Sequence, residues 1–307
     1  MRLNLHLLRV FHHVVEEGSF SAAARRLHIS QPAVSKAVAE LERQLDLALL
    51  ERAGGKGTPG LRPTEAGAGL NAHARAIFSL ERAAVHELER RSGLRQGELV
   101  IGASTTIASY WLPVYLQAYA SEWPGIDLKV VVANTQSIVE DLFDCRLDIG
   151  LVEGPVHMEG VAHHPWREER LVIVAPTGFG GAGAAPPSGA TRVSAQELAA
   201  HRWLVRESGS GTREVSFDLL ARQGVVPADR IEIGSNEGIA RAVAAGLGVA
   251  MLPYAVVEDL LALGRVVELH AHGISGFSRS LYRLERRDRP PSPAVRAFLD
   301  ILGRPAR

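Results

Sequence analysis

Residues 10–52, VFHHVVEEGSFSAAARRLHISQPAVSKAVAELERQLDLALLER, decide the fold of the first part of the chain. Apolar residues recur at helical spacing until Gly18 interrupts the pattern, and a second short helix follows that Ser19 or Ser21 can cap. After a three-residue turn, Ser30 caps a third helix. The stretch therefore predicts three helices, of which the second and third are joined by a tight turn.

The predicted third helix has an apolar stripe on one side and a small, polar, cationic surface on the other. The stripe consists of Val34, Ala37, Val38, Leu41 and Leu45. The opposite surface presents candidate DNA contacts at the N-terminal end of the helix, namely Ser30, Gln31, Pro32, Ser35 and Lys36. Glutamine can bond adenine at two atoms, and lysine can reach guanine or phosphate. From this spacing alone, a helix-turn-helix DNA reader and an ordinary helical hairpin are equally good interpretations.

A glycine- and proline-rich segment and a long helix follow. Residues 49–67, LLERAGGKGTPGLRPTEAG, are typical of a basic wing, in which Arg52 and Lys56 are further candidate DNA contacts. A helix of about 28 residues then runs from Thr64 to about Arg91, with a narrow apolar seam that cannot stay exposed in water and consists of Leu70, Ala74, Ile77, Ala84 and Leu88. Either the rest of the chain or a second copy must cover that seam. Dimerisation is the economical answer, because paired helix-turn-helix units read two half-sites on DNA.

Composition and charge limit the class of protein. Apolar residues make up 46% and charged residues 22% of the chain, so wholesale disorder and collagen-like repeats are excluded. The 34 basic and 34 acidic residues are unevenly distributed, since residues 1–95 carry a net charge of +4 and residues 96–307 one of −4. A basic first part indicates a polyanionic partner, although an excess of four charges also fits chance variation on a solvated surface.

The compartment follows from cysteine usage and hydropathy. Cys145 is the single cysteine, so neither an intrachain disulfide nor a cysteine zinc site can form, and a reducing compartment fits. The N-terminus lacks the features of a signal peptide, and no apolar run approaches the ~18 residues of a membrane span. The sequence thus predicts a cytoplasmic protein without a membrane partner.

After Gly97, short apolar strands alternate with amphipathic helices. The predicted strands are Glu98–Ala103, Asp127–Val132, Leu147–Val152, Leu171–Pro176, Trp203–Glu207, Ile231–Ile233, Val249–Leu252, Val266–Leu269 and Arg279–Glu285. This alternation predicts an α/β sheet layered by helices. The Gly/Ala/Pro-rich tract Phe179–Ala190 is predicted to be a surface loop.

The 10–52 stretch, followed by RPTEAG at 62–67 and a long helix, resembles the DNA-binding domain of LysR-type transcriptional regulators. The resemblance implies a winged helix-turn-helix domain over 1–63, a dimerising linker helix over 64–92 and an effector-binding domain over 93–307. The predicted fold class is therefore an α+β multidomain protein. Its effector domain is expected to be α/β and similar to periplasmic solute-binding proteins.

In that family the effector domain consists of two subdomains, and the chain crosses between them twice. The resemblance implies subdomain I at about 96–166 and 272–307 and subdomain II at about 167–271. The crossings would lie near His164–Arg170 and Leu269–Gly273. Four stretches, STTI, VVANTQSI, RESGSGTRE and SNEGIARAVAAGLGVAMLP, resemble the branch that controls sulfur assimilation and carbon fixation.

Three features depart from the family pattern. Leu49-Leu50-Glu51-Arg52 stands where the family usually has Leu-Phe-Glu-Arg, which changes core packing and leaves the arginine in place. The wing, Ala53–Leu61, is longer and richer in glycine than usual. Lys36 stands where many members carry arginine, and lysine holds a phosphate as a point charge more readily than it reads guanine with a fork.

Two such lobes should bind their ligand in the cleft, where strands end and helix N-termini point. The residues expected there follow predicted strands or begin predicted helices, and they are Ser104, Thr105, Thr106, Asn134, Thr135, Gln136, Ser208, Ser210, Gly211, Thr212 and Asn236. Hydroxyls and free N–H groups at facing helix N-termini favour an anion, such as a carboxylate, a phosphate or an oxyanion of sulfur or nitrogen. The alternative for each hydroxyl is a plain helix cap.

The resemblance also implies the partners: double-stranded promoter DNA, a small-molecule effector, further copies of the chain as a dimer or tetramer, and RNA polymerase. No cofactor other than the effector is expected.

Three alternatives carry less support. An α/β hydrolase is disfavoured because the string around Ser210, Glu207-Ser208-Gly209-Ser210-Gly211, lacks the first glycine of a nucleophile elbow.

A metal-responsive sensor would need clustered histidines. No spacing tied to a known site occurs among the candidates, which are His12, His13, His157, His163, His164, His270 and His272. A free periplasmic solute-binding protein is disfavoured because residues 1–91 have no place in one and because a signal peptide is not evident.

Overall fold

The structure, a computed structural model, describes residues 3–52, 61–91, 97–154, 156, 158–179, 191–271 and 276–304. Two compact units divide the chain: Met1–Leu88 with Asp144–Arg146, and Glu89–Phe143 with Leu147–Arg307. Most of the predicted wing, including Lys56, lies outside the described residues, as do residues 180–190 of the predicted loop tract, His157 and His272. In the described part of the chain, no helix is long and apolar enough to cross a membrane.

The first unit begins with the three predicted helices, α1 (Leu5–Glu17), α2 (Phe20–Leu27) and α3 (Gln31–Leu45). The hydroxyls of Ser19 and Ser30 cap α2 and α3, each accepting a backbone N–H at 3.4 Å. Because an N-cap satisfies a donor that the helix itself cannot, these serines fix where each helix starts. The predicted helix-turn-helix is therefore present, with its turn at residues 28–30.

Two short strands and the long helix complete this unit. Strands β1 (Leu50–Arg52) and β2 (Leu61–Pro63) pair antiparallel, and α4 (Glu65–Arg91) follows them. Ala74 and Phe78 of α4 are buried in the same core as α1, α2 and α3. The first half of the predicted apolar seam is thus covered by its own chain, whereas Ala84 further along the seam is exposed, as are Leu80 and Val85 outside it.

The second unit is an α/β structure. Its elements are β3 (Gly97–Ala103), a π-helical turn (Ile107–Trp111), α5 (Leu112–Glu122), β4 (Ile126–Val132), α6 (Thr135–Phe143), β5 (Ile149–Glu153), β6 (Val161–Pro176), β7 (Thr191–Val193), α7 (Ala195–Ala200), β8 (Arg202–Val205), α8 (Gly211–Arg222), β9 (Asp229–Glu232), α9 (Asn236–Ala244), β10 (Ala250–Pro253), α10 (Tyr254–Ala262), β11 (Val266–Ala271), β12 (Phe277–Arg286) and α11 (Pro293–Leu302). The main sheet has the order β4-β3-β5-β12-β6-β11-β7, and β10 also pairs with β6.

Strand β6 connects two lobes of this unit. Residues 161–171 pair with β12, and residues 171–176 pair with β10 and β11. Separate apolar cores lie around β3 and β5 in one lobe and around β8, β10 and β11 in the other. The prediction placed this strand at Leu171–Pro176 only, because residues 162–170, AHHPWREER, contain no apolar run that would mark a strand.

Candidate functional site

The outer surface of α3 brings together the residues that the sequence selected for DNA contact. Five polar, cationic or small side chains are exposed at or near its N-terminal end, namely Ser30, Gln31, Pro32, Ser35 and Lys36. On the opposite face, Val34 and Val38 are buried in the core of the unit. The helix is thus packed with its small and polar side turned to solvent, as a groove-reading helix requires.

Lys36 is an exposed cation outside any ion pair with the residues that the structure describes. Glu40, one turn further along α3, is engaged instead by Arg43, which donates to it at 2.6 and 3.0 Å. These hydrogen bonds are the main cause that lowers the pKa of Glu40, and the charge of Lys36 adds a smaller effect. Arg52 lies in β1, and Lys56 falls outside the described residues. Lys36 therefore offers this surface a positive charge that a phosphate can approach.

In the second unit, three polar side chains from different elements meet in the interior. The amide of Asn236, at the start of α9, donates to Thr106 Oγ1 at 2.7 Å and to Thr212 Oγ1 at 3.4 Å. Thr106 follows β3, Thr212 lies in the first turn of α8, and none of the three is more than 2% exposed. Buried polar groups persist when they are hydrogen-bonded, so this cluster ties one lobe to the other.

Arg279 of β12 extends the cluster. It donates from Nη1 to Thr212 Oγ1 at 2.8 Å and from Nε to Glu169 of β6 at 2.6 Å, and its Nη2 lies 3.4 Å from Glu153 at the end of β5. Trp111 donates from its indole nitrogen to the other oxygen of Glu169 at 2.6 Å. None of the three charged side chains is more than 3% exposed, and charges so deeply buried must be paired.

A second guanidinium, Arg206, lies directly after β8. It donates to both oxygens of Glu207 at 2.8 Å and to Thr105 Oγ1 at 3.3 Å. Burial would raise the pKa of Glu207, but the hydrogen bonds from Arg206 and from a backbone N–H, the charge of Arg206 and a smaller effect of a hydrogen bond from Asn134 together hold this pKa below its usual value. Thr105 and Asn134 are thus drawn to the same region as the buried cluster.

Gly211 allows α8 to approach the other lobe closely. A Cβ at this position would lie 2.2 Å from the carbonyl oxygen of Glu153 and 2.7 Å from Thr135 Oγ1, so no larger residue fits without a shift. Its N–H donates to Thr135 Oγ1 at 3.3 Å. The preceding Ser210 is 2% exposed, and its hydroxyl makes no capping hydrogen bond. A second group of buried hydroxyls therefore lies at this helix N-terminus.

Three of the residues predicted for the cleft lie outside these contacts. Ser104 is buried, but its hydroxyl accepts from the N–H of Ile107 at 3.4 Å, as a plain helix cap does. Ser208 is exposed. The Gln136 side chain is also exposed, and its amide donates to Glu140 at 2.9 Å, while the Gln136 backbone N–H donates to the carbonyl oxygen of Gly209 in the other lobe at 3.1 Å.

Sequence reasoning missed the charged side chains of the cluster. Glu153 and Arg206 each stand at the end of an otherwise apolar strand, GLVE and WLVR, and this abrupt change was a usable signal. Arg279 and Glu169 give no such signal, because each lies among other charged or polar residues. Only the pairing of β6 with β12 brings these two together.

The cluster leaves little free space. A cavity of about 20 Å³ lies beside Thr212 and Asn236 and is lined also by Trp203 and Met251. This is about the space that one water molecule needs. At this cluster the two lobes are in direct hydrogen-bonded contact. Among them, no group of three or more histidine, cysteine or acidic side chains is placed to hold a metal ion.

Sequence comparison agrees with this architecture. Residues 5–68 match the bacterial regulatory helix-turn-helix proteins of the lysR family, and residues 92–306 match the LysR substrate binding domain. The chain therefore belongs to the LysR family of bacterial transcriptional regulators, with a DNA-binding domain followed by an effector-binding domain.

Several relatives are similar over most of their length. The uncharacterized HTH-type transcriptional regulator YeiE of Escherichia coli (strain K12) is 36% identical over 302 residues, 98% of this chain and 97% of that protein. CysL of Bacillus subtilis (strain 168) is 33% identical and covers 88% of this chain and 87% of its own length. The RuBisCO operon transcriptional regulator of Allochromatium vinosum is 32% identical over 98% of this chain and 96% of its own length. The predicted resemblance to regulators of sulfur assimilation and carbon fixation is confirmed at this level.

Solved structures share the fold. A full-length OxyR variant of Pseudomonas aeruginosa superposes with a TM-score of 0.75 at 22% identity, over 98% of this chain and 95% of that one. The CcmR regulatory domain of Synechocystis PCC6803, solved in complex with 2-PG, has a TM-score of 0.59 at 27% identity. The match covers 67% of this chain and 96% of that one. The first likeness extends over both the DNA-binding and the effector-binding domains.

Proposed function

We propose that this regulator responds to a small oxyanion bound at the cluster formed by Thr106, Thr212, Asn236 and Arg279. The observation that carries the proposal is the direction of the hydrogen bonds. Both threonine hydroxyls accept from Asn236, and Thr212 accepts from Arg279 as well, while neither donates to any described residue. Each hydroxyl hydrogen is therefore available to an acceptor, and an oxyanion supplies several.

The charges around the cluster limit the charge of that anion. The guanidinium groups of Arg206 and Arg279 face three carboxylates, those of Glu153, Glu169 and Glu207. The region thus already carries one more negative than positive charge, and repulsion in a low dielectric grows with each further charge. A compact anion of low charge fits this surrounding better than a polyphosphate. The complex of the related CcmR regulatory domain with 2-PG is consistent with a small ligand.

Binding should shift the protein between two arrangements of the lobes. The cavity beside Thr212 and Asn236, about 20 Å³, has about the space of one water molecule, so the ligand enters when the lobes separate and favours whichever arrangement it contacts better. We infer that this change alters the spacing of paired DNA-binding domains on a promoter, in a dimer or tetramer of cytoplasmic chains that acts on RNA polymerase. No catalytic step is needed in this scheme.

The effector proposal predicts stabilisation by one anion. Thermal unfolding of the full chain would be followed with sulfate, sulfite, thiosulfate, nitrate, phosphoglycolate and NADPH in turn. A ligand at about 100 times its dissociation constant adds about 2.7 kcal/mol to the stability of the form that binds it. Thr106→Val keeps the shape of the side chain and removes the hydroxyl, so we expect it to abolish the shift, as Ser210→Ala should weaken it.

Ser121→Ala, which removes an exposed hydroxyl from α5, is the matched control and should respond like the wild type. Both cluster variants should bind DNA as the wild type does when no anion is added. An anion that stabilises wild type and Thr106→Val equally would place its site elsewhere and contradict the proposal.

We propose that the exposed face of α3 contacts DNA through Ser30, Gln31, Pro32, Ser35 and Lys36, with Arg52 and Lys56 contributing from the wing. Lys36→Ala should then weaken binding to a promoter fragment and reduce the slope of log affinity against log salt by about 1 for each half-site, because one phosphate contact is lost. The measurement is fluorescence anisotropy at several salt concentrations.

Lys129→Ala is the control, because it removes the same charge from an exposed position in β4 of the second unit. It should leave both affinity and salt slope unchanged. Equal losses in the two variants would show that net charge, rather than contact by α3, governs binding.

A further inference from the structure

We propose that the second unit carries a separate ligand site, a recess that binds a small anion with an aromatic body. The recess has a volume of about 570 Å³ and lies between β6, β12, α5 and the end of α11. Its lining includes Tyr115, Trp166, Arg167, Arg283 and Arg304. Pockets for small molecules typically measure about 300–1,000 Å³. None of these lining residues belongs to the buried Thr106 cluster, so the site is distinct from the effector site proposed above, although Trp111 contacts both Arg167 and Glu169.

A bulge in β6 shapes this recess. Leu281 lies opposite Arg167, and Tyr282 lies opposite Pro165, so Trp166 is an extra residue in the strand. Successive side chains of a regular strand point to opposite faces, whereas a bulge turns two neighbours to the same side. Accordingly, Trp166 and Arg167 both contact Tyr115, the first edge to face at 5.4 Å between ring centroids and the second at 3.3 Å to the hydroxyl.

The recess is positively charged. Three guanidinium groups line it, and among the described residues no carboxylate does. Arg304 is paired with Glu122, and the Arg283 Nε lies 3.2 Å from Glu285. Arg167 has no acidic partner in the part of the chain that the structure describes and instead stacks over the Trp111 ring, 4.2 Å from its centroid. The charge of Arg167 is therefore left without a counter-charge, next to the aromatic side chains of Tyr115 and Trp166.

These features select a class of ligand. Guanidinium forks bind carboxylates at two oxygens, and the half-buried Trp166 offers an apolar surface fixed in place by its hydrogen bond to the carbonyl oxygen of Leu302 at 3.4 Å. A planar aromatic carboxylate meets both demands, with its charge near Arg167 and Arg283 and its ring against Trp166. A neutral molecule of the same shape would satisfy only the second.

The probe is 2-naphthoate, added to the full-length protein and followed by isothermal titration calorimetry, with 2-naphthamide as its neutral counterpart. We expect saturable binding of the carboxylate and binding of the amide that is weaker by about tenfold or more, since a charge-assisted hydrogen bond contributes that much. Arg167→Met and Arg283→Met should each weaken naphthoate binding to a similar extent.

Arg265→Met removes an exposed arginine elsewhere in the same unit and should bind naphthoate as the wild type does. Thr106→Val should also bind it normally, which separates this site from the buried cluster. Circular dichroism checks that each variant folds. If Arg167→Met unfolds because the stacking on Trp111 is lost, Arg283→Met alone tests the site. The proposal is overturned if naphthoate shows no saturable binding at millimolar concentration, or if the amide or either arginine variant binds as well.

Discussion

Gly67→Ala is expected to destabilise the first unit, whereas Gly69→Ala, two residues along the same helix, is expected to stabilise it. A Cβ at Gly67 would lie 1.9 Å from the carbonyl oxygen of Leu49 and 2.9 Å from its carbonyl carbon, and both are backbone atoms that cannot rotate away. At Gly69 a Cβ would meet nothing within 4 Å. Alanine in place of an unhindered helical glycine gains up to about 1 kcal/mol, while overpacking costs about 1–3 kcal/mol.

The close approach at Gly67 has a structural purpose. The Thr64 hydroxyl donates to the Ala48 carbonyl at 2.8 Å and accepts the N–H of Gly67 at 3.0 Å, which ties the start of α4 to the chain before β1. Hydrogen exchange of the amides in α1 and α3, measured on the full chain, reports the free energy of opening this unit. Protection should fall with alanine at 67 and rise slightly with alanine at 69. Changes of the same sign in both variants would mean that contact with Leu49 does not decide the effect.

The sequence predicted this unit well because its signals are local. The caps of α2 and α3, the stripe of α3 and the glycine that ends α1 each involve residues within a few positions of one another. The cover of α4 is a different matter. Its seam required burial, but the pattern could not tell that Ala74 packs on the unit's own core while Ala84 stays exposed.

The candidate effector site, like the first unit, could be predicted from the sequence only where its signals are local. Thr106, Thr212 and Asn236 could be selected because a hydroxyl or amide between a strand and a helix is visible in a short stretch of sequence. Whether such a side chain turns inward is not visible there, and Gln136 turns toward Glu140 instead.

The charged part of the site depends on distant pairing. Arg279 and Glu169 are 110 residues apart in sequence, and each resembles an ordinary surface charge until β6 and β12 are paired. Periodicity also failed for β6 before Leu171, because the charged side chains there have different surroundings: Glu169 is buried in this network, Arg167 stacks on Trp111, and Arg170 is exposed.

Arg279→Met is expected to have the largest effect on stability, a loss of about 3–5 kcal/mol, because removing one partner of a buried ion pair leaves the other charge uncompensated. Here two carboxylates, those of Glu153 and Glu169, would remain buried without the guanidinium that they share. The same variant should fail to respond to any effector anion, since Thr212 loses its hydrogen bond from Arg279. Hydrogen exchange of the amides in β5 and β12 measures the first effect, and the anion-dependent thermal shift measures the second.

Arg170→Met is the matched control, because Arg170 lies in β6 next to Glu169 and pairs with Glu268 at 2.7 Å but is 53% exposed. Exposed pairs contribute up to about 1 kcal/mol, so its loss should be small. Adding Glu169→Gln to Arg279→Met removes one stranded charge and keeps an oxygen that can accept from Trp111. The double variant should therefore be more stable than Arg279→Met alone. If it is less stable by the full sum of the two single changes, the groups act independently and Arg279 does not hold the two carboxylates at the junction of the lobes.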